Sequence, residues 1–165
     1  MSTINGSYRE YKLDNGLMVA LQNTPTRTIS GRLRVFHGAL HEKTGEEGLA
    51  HLLEHSLMTG GSIKYSPEEM DKARNTFGYY NASTSQDRTL FKVDMLSDDL
   101  DLYLDLVSDS AFNPRIDEIR FEEEKRRVLR EVADYKSAPD HKDRILIGRE
   151  FYGADSPHIY QTLGK

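Results

Sequence analysis

The segment His51-Leu52-Leu53-Glu54-His55 constrains this chain more than any other. On an α-helix turning about 100° per residue, with His51 at the origin, His55 falls at about 40° and Glu54 at about −60°. Two imidazoles and a carboxylate therefore leave one face together. Leu49, Leu52, Leu53 and Leu57 fall between about 100° and 240°, on the opposite side. The pattern predicts a helix that buries its leucines and presents His51, Glu54 and His55 outward. Histidines at i and i+4 can grip one divalent ion, and two histidines plus a carboxylate form a catalytic zinc set. A carboxylate beside such an ion can take a proton from water. The helix supplies two ligands, so a third must come from elsewhere in the chain.

The choice of that third ligand is narrow. The chain holds no cysteine, which excludes disulfides, thiolate metal sites and a cysteine nucleophile, leaving His, Asp and Glu as strong ligands. At 165 residues, it is long enough for a single domain with a sizeable core, read as spanning 1–165. A hydrophobic content of 37% beside 30% charged residues describes a folded globular protein rather than a disordered one. The net charge of −5 and scattered lysines argue against a nucleic-acid partner. No apolar run approaches the ~20 residues that span a bilayer. The N-terminal stretch lacks the apolar segment of a secretory signal. The expectation is a cytoplasmic protein with no membrane partner.

Tyr8 to Leu13 and Leu17 to Asn23 flank Asp14-Asn15-Gly16, a hairpin signal because Asn and Gly tolerate positive φ. Ser30 to Phe36 reads as a third strand. The motif helix stops at Gly60-Gly61. Ser66-Pro67-Glu68-Glu69 starts another helix, with Ser as N-cap, Pro at the first position and Glu closing a capping box; it is expected to end near Gly78. Tyr79 to Ser83 and Thr89 to Leu96 read as strands. Helices follow from Ser97-Asp98-Asp99 to about Phe112, from about Asp117 to Lys136, and then to about Gly153. Hairpins followed mostly by helices predict an α+β fold, its antiparallel or mixed sheet covered by helices on one face.

The candidate third ligand lies in the long charged helix. With Glu131 at the origin, Glu124 falls at about 20° and Val128 at about 60°, so both carboxylates border the inward stripe. Glu122 and Glu123 read as a solvated face. Helical geometry alone leaves Glu131 open as either a ligand or a solvated carboxylate.

H-x-x-E-H is the inverted zinc signature. Its separation from Glu131 (131 − 55 = 76) resembles that of the pitrilysin/insulinase metallopeptidases, the family of mitochondrial processing peptidase. Gly48-Leu-Ala-His precedes the motif, and Gly78…Asn81-Ala-Ser-Thr84…Arg88-Thr and Glu124…Val128-Leu…Glu131 follow in family order. The resemblance runs from about Leu13 to Gly164. It implies Zn²⁺ held by His51, His55 and Glu131, with Glu54 as general base and Glu124 orienting a ligand from behind. Asn81 and Ala82 would lie on a strand that binds an extended peptide by β-augmentation. His37, His41, His141 and His158 match no ligand position and read as ordinary loop or surface histidines.

The implied activity is zinc-dependent hydrolysis of extended or unstructured peptides. Family subunits close two related domains over the peptide, and the facing half supplies an Arg and a Tyr that have no counterpart here. The resemblance therefore implies a second copy or a separate partner chain. A rival reading is a non-catalytic subunit, but such subunits usually lack ligands that are all present here. S-ribosylhomocysteine lyase shares the motif and fold, yet it requires cysteines, and this chain has none.

Overall fold

The computed structural model describes residues 7–153 and Ser156. Strands β1 (Tyr8–Lys12) and β2 (Met18–Gln22) form an antiparallel hairpin. At its turn Gly16 takes φ +88° and the Leu17 N–H donates to Asn15 Oδ1 at 3.0 Å. Strand β3 (Thr28–Val35) leads to helix α1 (Leu49–Thr59), the short strand β4 (Gly61–Ser62) and helix α2 (Pro67–Arg74). Strands β5 (Tyr79–Thr84) and β6 (Thr89–Leu96) precede helix α3 (Leu100–Phe112) and strand β7 (Pro114–Arg115). Helices α4 (Glu118–Ser137) and α5 (His141–Tyr152) complete the order. The main sheet runs β3-β6-β5, and β4 pairs with β7. Every pairing among the described residues is antiparallel, so the fold is α+β without the mixed sheet.

Alternation along β6 drives the core. Thr89, Phe91, Val93 and Met95 are all buried on one face of the sheet. Met70, Phe77, Tyr103, Leu106 and Val107 cover Val93 and Met95 from α2, α3 and the turn after α2. Each fully buried side chain of this size stabilises by about 1.5–3 kcal/mol. Gly31 in β3 makes the close fit possible: a Cβ there would stand 2.7 Å from Val93 Cγ1 and 2.9 Å from Tyr103 Cε1. Burial pushes the Tyr103 phenol up to about 12.

Helix α1 is held at both ends by residues from other segments. Its N-cap is Gly48 at φ +93°, which has no side chain to offer. The Glu42 carboxylate fills that role, accepting the N–H of Gly48 at 2.9 Å and of Ala50 at 2.7 Å. A carboxylate there satisfies orphan donors and complements the positive end of the helix dipole. At the other end, buried Arg74 donates to the carbonyls of Leu57 and Met58, and Arg120 donates to Thr59 O at 3.2 Å. Glu42, Arg74 and Arg120 together fix both the axis and the rotation of the helix.

That rotation corrects one expectation. Glu54 is 7% exposed and His51 9%, whereas Leu49 is 51% and Leu53 45% exposed. The polar face packs inward because α1 lies against α4 and β5, whose polar groups can satisfy it. Of the other two, Leu57 lies beside Leu33, Phe91 and Val107, and Leu52 is half-buried beside Val128 and Val132. Two boundaries also move: β3 begins at Thr28, and α2 ends at Arg74 because the chain turns before Phe77 enters the core. Among the described residues no helix is long and apolar enough to cross a membrane.

Candidate metal centre

His51 and His55 stand one turn apart on α1, their rings edge to face with centroids 4.6 Å apart. Their Nε2 atoms are 3.1 Å apart. Glu131 reaches in from α4, its Oε2 lying 3.7 Å from His51 Nε2 and 3.8 Å from His55 Nε2. Tetrahedral bonds of about 2.0–2.2 Å set ligand atoms about 3.3–3.6 Å apart. The three separations bracket that range, so the residues fit a zinc-sized cation. Among the described residues no other group of three or more such side chains converges in this way.

The surroundings of the two imidazoles suit metal binding. His55 Nδ1 lies 3.0 Å from Glu124 Oε2, a contact that favours the tautomer donating from Nδ1 and leaves Nε2 facing His51 and Glu131. Glu124 is buried, and Arg127 pairs with its other oxygen at 3.2 Å. Burial, then repulsion from His55, lowers the pKa of His51, with Glu54, Glu131 and Glu42 opposing. The net effect favours the neutral ring that a metal requires. His51 Nδ1 is buried without a hydrogen-bond partner.

Glu54 projects from the same side of α1 but is held by the sheet. The Thr84 hydroxyl donates to Glu54 Oε2 at 2.6 Å. Asn81 sits on the outer strand of the β3-β6-β5 sheet, where its Oδ1 accepts the Ala82 N–H at 2.9 Å and its Nδ2 donates to the Tyr79 hydroxyl at 3.0 Å. Glu122 and Glu123 are exposed. His37 and His41 stack on each other with ring centroids 4.8 Å apart and are not part of the trio, and His141 packs against Tyr135. His158 lies outside the described residues.

The chain has relatives among known proteins. The model of the insulinase family, peptidase family M16, matches residues 18–152. The chain belongs to the insulinase family. An uncharacterized zinc protease of Bacillus subtilis, YmxG, is 30% identical over 149 residues, covering 90% of this chain and 36% of that protein. The beta subunit of mitochondrial-processing peptidase from Dictyostelium discoideum is 28% identical over 129 residues, covering 78% of this chain and 28% of that subunit. The crystal structure of pitrilysin superposes with a TM-score of 0.81 at 28% identity, covering 98% of this chain and 17% of pitrilysin. The chain thus spans about a third or less of the length of these insulinase-family relatives.

Three residues around this candidate site escaped the sequence reading. Thr84 closes the Asn81-Ala-Ser-Thr84 run, and strand alternation alone puts it on the face of Ala82. Arg127 stands three residues beyond Glu124, a spacing that meets on a helix surface. Glu42 gives no local signal, because it caps α1 across an irregular loop.

Proposed function

We propose that this chain is a zinc-dependent endopeptidase acting on extended or unstructured peptides. His51, His55 and Glu131 hold the zinc, and Glu54 is the general base. The observation that carries the reading is the convergence of two Nε2 atoms and one carboxylate oxygen at 3.1–3.8 Å beside a buried Glu54. Zinc bound there would supply Lewis acidity, making a water nucleophilic near neutral pH and polarising the scissile carbonyl.

The chain's own groups supply the rest. Glu124 keeps the His55 ring oriented, with Arg127 holding Glu124 in turn. Glu54 accepts the proton of the attacking water and returns it to the leaving amine. Strand β5, an edge of the main sheet and the one that packs against α1, receives the peptide as an added strand. The Ala82 N–H is taken by the Asn81 side chain rather than by β6. In an antiparallel ladder a residue's N–H and C=O point the same way, so the Ala82 backbone faces that edge. Asn81 then exchanges its own-strand contacts for the substrate main chain.

Glu131 has 41% of its side chain exposed, so the centre opens to solvent on one side. Catalysis in a dry site with oxyanion donors needs a facing wall. We assign that wall to a protein surface outside residues 1–165, such as a second copy or a separate chain, with residues 1–165 as the zinc-bearing domain. The test is peptide cleavage by zinc-loaded protein, with and without a candidate partner. Glu54→Gln is expected to keep zinc and fold while abolishing hydrolysis, and His51→Ala to lose metal and activity together. Substantial cleavage by Glu54→Gln would remove Glu54 as the base.

A further inference from the structure

We infer that Thr84 is a positioning residue, which ties the Glu54 carboxylate to the strand that receives the peptide. The inference rests on Glu54 being the base of the proposed hydrolysis. Thr84 donates its hydroxyl proton to Glu54 Oε2 at 2.6 Å, a bond linking α1 to the last residue of β5 across thirty positions. Glu54 is buried, and a buried carboxylate needs donors to hold it.

The place of Thr84 gives the bond its consequence. It lies two residues beyond Ala82, on the same face of β5. A peptide pairing with the Ala82 edge is therefore registered against the same strand that registers the base. The strand end is itself fixed. Thr84 stands opposite Thr89 in the β5–β6 register, and the Thr89 hydroxyl donates to His37 O at 3.0 Å. The Ser85 carbonyl accepts the Ala39 N–H at 3.2 Å, and Gly38 packs so closely that a Cβ would stand 2.3 Å from Ser85 O. Thr84 thus transmits a rigid reference to a side chain that otherwise turns about its own χ angles. One carboxylate oxygen is held, and the other remains to meet water.

A misplacement of about 1 Å in a reacting group can reduce a rate by about 10²-fold. Thr84→Val keeps the shape and removes the donor, and Thr84→Ser keeps the donor. With zinc-loaded full-length chain, and with partner if one is required, Thr84→Val is expected to lower kcat by about 10–100-fold while KM changes less than about twofold. Thr84→Ser should restore most of kcat. Zinc affinity, read by chelator competition, should match the unsubstituted protein in both variants. A second readout needs no activity: in crystals of the zinc-free protein, the Glu54 carboxylate should leave its single position in Thr84→Val and keep it in Thr84→Ser.

An unchanged kcat in Thr84→Val, or a Glu54 carboxylate that stays in place, would overturn the inference. If the unsubstituted, zinc-loaded protein cleaves no peptide either alone or with its partner, the peptidase reading fails. The crystallographic comparison still decides whether Thr84 positions Glu54.

Discussion

His55 and Glu124 meet across sixty-nine residues through a 3.0 Å contact between Nδ1 and Oε2. It joins α1 to α4 and sets which ring nitrogen of His55 faces the metal position. Glu124 is buried while its neighbours Glu122 and Glu123 are exposed. Three adjacent carboxylates on one helix therefore divide into one that is buried against His55 and two that face solvent.

That division predicts unequal effects of neutralising them. Glu124→Gln should weaken zinc binding by about 10–100-fold, the usual loss when the partner of a ligating histidine is removed. Glu123→Gln should leave it unchanged. Chelator competition at fixed pH distinguishes the two, and equal affinities would show that the contact does not support the site.

A pH dependence follows from His51. Burial, then repulsion from His55, lowers its pKa in the metal-free fold. Below the unfolded value of about 6.5 the unfolded chain therefore takes up a proton that the native state resists. This contribution to stability is present above about 6.5 and is lost as pH falls through the lowered native value. NMR titration of the ring should place His51 below the ordinary value, and a midpoint at or above it would contradict the burial argument.

The cap of α1 gives a prediction that concerns folding rather than chemistry. Glu42 accepts two backbone N–H groups at the start of the helix, and removing a cap costs about 0.5–2 kcal/mol. Glu42→Ala should destabilise the metal-free protein by about that amount in urea denaturation. A change near zero would mean that water replaces the carboxylate without penalty.

Local chemistry made much of the fold legible. Asp14-Asn15-Gly16 forms the hairpin turn, and the Ser66–Glu69 capping box forms with both bonds in place. The fold class and family followed from such signals and from separated motifs in order. The orientation of α1 did not. Hydrophobic periodicity assumes that apolar faces turn inward, and here the polar face does so because Glu124, Glu131 and Thr84 arrive from other elements to meet it. The Thr84–Glu54 bond and the Glu42 cap were hidden for the same reason. Each depends on where two distant segments are placed, which no single stretch encodes.

On the proposed function, His51, His55 and Glu131 form one zinc site. The most direct measurement is a crystal structure of protein loaded with zinc, with anomalous scattering recorded at the zinc edge. One zinc per chain is expected, with both Nε2 atoms at about 2.0–2.1 Å and a Glu131 oxygen at about 2.0–2.2 Å. Zinc bound elsewhere, or bound by the two imidazoles with Glu131 turned away, would contradict the account.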